Sequence, residues 1–152
     1  SRGMELRADA EFMISKMKLS LRGGYDQTLS TNEGQSDVPG MEIGEQLLYT
    51  PEQLAFVSAK AEICGLTVSY RHSYTGEARG VNEPIPEFHK ADVRLQYSGK
   101  DKSPDSKVGA SFFFDILNLY DADYFVIDRR PMPGINFQAG IRISYNHSKT
   151  NP

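Results

Sequence analysis

The chain has 152 residues, about the length of one domain, and a net charge of −3 without any basic cluster, which leaves no electrostatic footprint for nucleic acid. Only 39% of its residues are apolar, so it either has a small core or sends half of each strand to water. The single cysteine, Cys64, excludes an internal disulfide framework, and no apolar run approaches the roughly 20 residues of a spanning helix.

That last exclusion does not reach β-barrels, whose membrane segments are about 10 residues long and alternate in hydrophobicity. Such alternation starts almost at once. Over residues 4–14, Met4, Leu6, Ala8, Ala10, Phe12 and Ile14 share one side, and Glu5, Arg7, Asp9 and Glu11 the other. The chain opens on Ser1-Arg2-Gly3 without an initiator Met, so a piece of a longer protein is expected. Ser15-Lys16 leaves room for a tight turn only, and a second strand sets Met17, Leu19, Leu21, Gly23 and Tyr25 against Lys18, Ser20, Arg22, Gly24 and Asp26.

Residues 27–53 are polar and punctuated by Gly and Pro, which predicts a long loop. A third strand over 55–63 turns tightly at Cys64-Gly65 into a fourth over 66–75. In the latter, Leu66, Val68, Tyr70, His72 and Tyr74 oppose Thr67, Ser69, Arg71, Ser73 and Thr75. A second polar loop, 76–87, contains Pro84 and Pro86, which lack the N–H that a ladder needs. The fifth strand, 89–98, is followed by a short charged turn over 99–105 and a sixth strand over 108–116. A third long connection, 117–134, leads to the last strand, 135–146, and a polar tail, 147–152.

The fold class expected is therefore all-β: an antiparallel up-and-down meander of about seven strands. Its connections are short after strands one, three and five and long after two, four and six. Outer-membrane barrels obey that rule, with short turns at the periplasmic end and long loops outside, whereas sandwiches and lipocalin-like barrels do not. Phe12, Tyr97 and Tyr145 fall at the short-turn end of the apolar file and Tyr25, Tyr74 and Phe137 near the other, as two aromatic girdles require. Seven strands of a large transmembrane barrel should leave an open sheet with the first and last strands as its edges.

Three stretches carry a resemblance to one family. Gly44-Glu45-Gln46-Leu47-Leu48-Tyr49-Thr50-Pro51 looks like the segment before a late strand of TonB-dependent outer-membrane receptors. Asn118-Leu119-Tyr120-Asp121 with Tyr124 resembles their "NLfD..Y" box, and Pro131-Met132-Pro133-Gly134 resembles the "PMPGR" lead-in to their terminal strand. Two departures stand out: Ile135 where the family usually has Arg, and a polar tail after Tyr145 where its chains usually end on an aromatic residue. The resemblance implies that residues 1–146 form the C-terminal part of a 22-stranded barrel. It also implies outer-membrane lipid as a partner and import of a scarce, bulky nutrient such as a ferric siderophore, a cobalamin or a glycan. The plug domain and the TonB-contacting segment would lie in missing upstream sequence, and the transported ligand would meet the loops and plug.

The charges on Arg22, Lys60, Glu62, Arg71, Asp92, Arg94 and Arg142 are expected to line the lumen of that barrel, facing the plug. As successive polar-file residues they do not make convergent acid/base machinery, and no nucleophile elbow, phosphate loop or cofactor fingerprint accompanies them. Neither catalysis nor a cofactor is expected. His72 and His89 lie near loop ends on the apolar parity and His147 in the tail, with no pair at ligand spacing, so no metal site is expected either. Gly134, after Pro133, is expected to take the positive φ of a type II turn. Residues 118–124 are expected to shape the last loop, and Ala91, Ala110 and Ala139 to share the lipid-facing file. A soluble ligand-binding barrel or sandwich with its apolar files inward, a passive porin and a barrel-type enzyme are the other readings the pattern admits.

Overall fold

The computed structural model describes residues 1–34, 43–99 and 108–145. Seven strands form one antiparallel sheet: β1 (Arg2–Ile14), β2 (Met17–Leu29), β3 (Gln53–Ile63), β4 (Leu66–Thr75), β5 (Phe88–Ser98), β6 (Val108–Leu117) and β9 (Asn136–Tyr145). Each pairs with its neighbours in sequence, save that β9 follows β6 across a small separate hairpin of β7 (Phe125–Ile127) and β8 (Arg130–Pro131). The sheet is open, with β1 and β9 as its edges. Because direction alternates along seven strands, these two edges run the same way.

The expected meander is therefore present, with two adjustments. β2 continues past Asp26 to Leu29, and the connection expected to be loop over 117–134 holds the β7–β8 pair. The 100–107 part of the β5–β6 connection and the tail from residue 146 lie outside the described residues. Two-residue turns join β1 to β2 at Ser15-Lys16 and β3 to β4 at Cys64-Gly65. Cys64 and Gly65 both have positive φ, 50° and 85°, as in a type I′ turn whose twist suits the flanking strands. The three long connections leave the opposite end of the sheet together, because they all follow strands running the same way.

Register carries the two faces across every strand. One row runs Glu11, Ser20, Lys60, Ser69, Arg94, Asp115, Gln138; its neighbour on the other face runs Phe12, Leu19, Ala61, Val68, Leu95, Phe114, Ala139. A slip of one residue in any pair would exchange the faces, so the alternation itself fixes the pairing. Phe12, Tyr97 and Tyr145 sit toward the short-turn end of the apolar face and Tyr25, Tyr74 and Phe137 toward the loop end, as the pattern predicts.

The apolar face is not covered. Leu6, Phe12, Val57, Leu95, Phe112 and Ile141 are all exposed, and Ile143 retains 73% of its accessible surface. Among the described residues the buried apolar side chains are Ala78, Ile85 and Ala91, the first two in the loop between β4 and β5 and the third where β5 meets the loop end. This reverses the distribution of a water-soluble domain, where strands bury and loops expose. Contiguous apolar area on this scale marks a surface that meets a partner or a membrane. No helix among the described residues is long and apolar enough to cross a membrane.

Candidate functional site: the polar face and the loop cluster

Arg22, Lys60, Glu62, Arg71, Asp92, Arg94 and Arg142 all fall on the polar face by register. This face lines a hollow of about 560 Å³ bounded by residues from β1 through β6, including Asp9, Arg22, Lys60, Arg71 and Asp115. On a flat sheet β1 and β6 would stand about 24 Å apart, at roughly 4.8 Å per strand. A single hollow bounded by both fits a sheet that curls with its polar face inward. A smaller and more open depression of about 460 Å³ on the other face, around Ala8, Gly23 and Ala55, is where small side chains leave the apolar surface low.

The charges of the polar face are mostly matched. Arg94 makes a bidentate pair with Asp115 at 2.6 and 2.7 Å, and Asp115 is only 3% exposed. Arg7 contacts Asp26 at 2.7 Å and Glu5 at 3.1 Å, Lys18 contacts Glu11 at 2.9 Å and Lys90 contacts Asp92 at 3.2 Å. Arg22 pairs with Asp9 and Lys60 with Glu62. The cross-strand pairs among these, Arg94–Asp115, Arg7–Asp26, Lys18–Glu11 and Arg22–Asp9, favour the register of a solvated face while adding little stability each, because water screens them.

Two aromatics of the polar face each lie over a glycine. Phe56 covers Gly24, its register partner, so closely that a β-carbon there would strike the ring. Phe113 likewise covers Gly140, where a β-carbon would come within 2.5 Å of Cζ. Cations stack on the exposed ring faces: Arg71 Cζ is 4.1 Å and Arg7 Cζ 5.6 Å from the Phe56 centroid, and Arg94 Cζ is 5.1 Å from that of Phe113. The glycines thus lower the sheet locally, and the rings shield that backbone while holding guanidinium groups in place. Neither pair is evident in single-strand patterns, since each partner sits on a different strand.

At the loop end, the stretches that carry the family resemblance converge. Asn118 is 1% exposed and adopts φ 53°, and Asp121 adopts φ 49°, a region that Asn and Asp tolerate better than other side chains. Asn118 donates from Nδ2 to the carbonyls of Ala122 (3.0 Å) and Pro133 (3.2 Å) and accepts the Ala122 amide at Oδ1 (3.1 Å). Its own amide donates to Asp92 Oδ1 at 3.0 Å. One side chain thereby ties the box at 118–124 to the Pro-Met-Pro-Gly turn, and its backbone ties both to β5. Residues 118–124 shape the last loop, as expected.

Gly134 differs from expectation. It does not have positive φ; instead, a β-carbon there would collide with Asp121 Oδ1, which accepts the Ile135 amide at 2.7 Å. Glycine is required for close approach of a carboxylate and not for a left-handed turn. Ala91 is the second correction. It belongs to the apolar file but is 0% exposed, because the chain after β6 folds against it and the Leu119 amide donates to its carbonyl at 2.7 Å.

The long connections also bind one another. Gln46, in the first matching stretch, accepts the Ser30 amide at 2.8 Å and donates to the Thr50 carbonyl at 3.1 Å, closing its loop back onto the end of β2. Arg79 pairs with Glu45, and its carbonyl accepts the Tyr49 amide at 2.7 Å. Asn82 donates to Asp128 in the β7–β8 turn at 2.7 Å. The three connections therefore form a continuous layer over one end of the sheet.

The histidines are the third correction. His147 lies outside the described residues, but the other two are not scattered: His89 Nδ1 and His72 Nε2 are 3.2 Å apart on the apolar face, because β4 and β5 pair Tyr74 with His89 and so place His72 diagonally beside it. Tyr120 reaches over from the loop, with its hydroxyl 3.1 Å from His72 Nδ1 and 2.7 Å from the Tyr70 hydroxyl. A shared parity and an offset of two along paired strands were the available signal for this cluster. Among the described residues, no group of three or more His, Cys, Asp or Glu is arranged to hold a metal. Comparison with protein-family models and with curated proteins finds no match.

Proposed function

We propose that the chain is the C-terminal portion of the barrel of a TonB-dependent outer-membrane receptor, taking up a scarce, bulky nutrient. The observation that carries this reading is the inverted layout of the sheet. Its continuous apolar face is exposed, while its charged face lines an open hollow bordered by six strands. A soluble ligand-binding barrel would curl the other way, with apolar side chains around the hollow. The asymmetric connections and the interlocking of the stretches at 118–124 and 131–134 add support.

In this reading the exposed face meets lipid, and Arg22, Lys60, Glu62, Arg71, Asp92, Arg94 and Arg142 line the lumen against the plug. Because β1 and β9 run the same way, an antiparallel barrel needs an odd number of further strands, supplied by sequence preceding this chain. The paired charges suit a wet interface with a plug that is retained but not fused to the wall. Unpaired charges would bind it more tightly or repel it.

Sequencing the gene upstream of the codon for Ser1, together with nutrient uptake in cells with and without TonB, tests the assignment. The expected result is a plug domain ahead of further alternating strands, and uptake of one bulky nutrient that stops when either the gene or TonB is deleted. A passive porin would lack the plug and transport without TonB. A water-soluble, detergent-free monomer would point to the soluble fold and overturn the reading.

A further inference from the structure

We propose that His72 and His89 form a two-histidine site for a divalent transition-metal ion, Zn²⁺ above all, on the apolar face beside the loop cluster. The inference rests on local geometry and is independent of the transport reading. His72 Nε2 and His89 Nδ1 face each other at 3.2 Å. Two imidazole nitrogens about 2.05 Å from one ion and 3.2 Å apart subtend about 103° at it, close to the tetrahedral angle of zinc. The strands already hold the two nitrogens at that separation, with ring centroids 5.3 Å apart.

The surroundings favour the ligating tautomer. For His72 Nε2 to present a lone pair, its Nδ1 must carry the proton, and Nδ1 is the atom 3.1 Å from the Tyr120 hydroxyl. Nδ1–H then donates to Tyr120, whose own proton passes on to Tyr70, 2.7 Å away. Outer partners of this kind orient a ligating histidine and fix its tautomer. In the metal-free protein His89 Nδ1–H donates to His72 Nε2. Binding moves that proton to His89 Nε2 and leaves two lone pairs converging on the ion, with no net proton released. His89 is exposed and His72 half-buried, and both lie beside Tyr74 at the loop end of the face, so the ion approaches from the water beyond that end and water completes its coordination.

The test is calorimetric titration with Zn²⁺ of the untagged full-length protein, folded in detergent, against His72→Ala, His89→Ala, the double variant and His147→Ala. The expected result is that each of the first three binds one ion per chain fewer than the parent while His147→Ala is unchanged. Tyr120→Phe should retain the stoichiometry with affinity lowered by about 10-fold, the lower end of the range for lost outer partners. Circular dichroism checks folding, and His72→Gln and His89→Gln replace any alanine variant that loses its strand signal. Equal stoichiometry in the parent and the double variant would overturn the site, as would loss of the ion in only one of the two single variants.

Discussion

Leu95→Arg should destabilise the protein in lipid vesicles by about 1–3 kcal/mol, between the midplane and interfacial values, whereas Gln96→Arg one residue along should cost much less. Leu95 lies on the apolar face between Val68 and Phe114, two residues inside Tyr97, and Gln96 points to the polar face opposite Thr67 and Phe113. A charge at a soluble core would also be penalised, so the informative companions are small-to-large changes. Ala110→Leu and Ala139→Leu, at exposed positions of the same file, should be nearly neutral against fluid lipid. Ala91→Leu should cost about 1–3 kcal/mol, because that alanine is enclosed by the chain after β6 and has no room to yield. Denaturant titration of all five variants in vesicles gives the comparison. Losses above about 1 kcal/mol at both Ala110 and Ala139 would mean that this face packs on protein.

Asn118→Ala should cost about 1–3 kcal/mol, since it deserts two carbonyls and an amide around a side chain that is itself 1% exposed. Asn118→Gly separates two causes. It suits the positive φ but restores none of the hydrogen bonds, so it should recover only a few tenths of a kcal/mol. Denaturant titration reads the stability, and trypsin cleavage after Arg129 reads the local loosening of the β7–β8 hairpin. Full recovery with glycine would show that backbone strain alone fixes the residue and that the side-chain bonds contribute nothing.

Much of the sheet was legible because strand periodicity is read within one segment. Six or more alternating residues identify a strand and its faces, and a two-residue gap such as Ser15-Lys16 leaves hairpin pairing as the only geometry. The shared face of Arg22 through Arg142 followed from parity alone. What escaped depends on neighbours distant in sequence. Phe56 reads as an intruder on a polar file until Gly24 is set opposite it, and His72 and His89 read as isolated until β4 and β5 are in register. Gly134 was misread because a Pro-Gly pair has a strong local turn preference, while its actual constraint comes from Asp121, thirteen residues earlier and across the loop. The β7–β8 pair is too short, at three and two residues, to show any period.

The central claim is that the exposed apolar face meets lipid. The most direct measurement places one environment-sensitive fluorophore at a time on cysteines introduced at residues 95, 96, 112, 113 and 114, in a Cys64→Ser background that removes the exposed native thiol. The labelled proteins are folded into vesicles whose acyl chains carry bromine quenchers. The account predicts strong quenching at 95, 112 and 114 and weak quenching at 96 and 113, following the strand alternation. Quenching that ignores the alternation, or that is confined to 96 and 113, would contradict it.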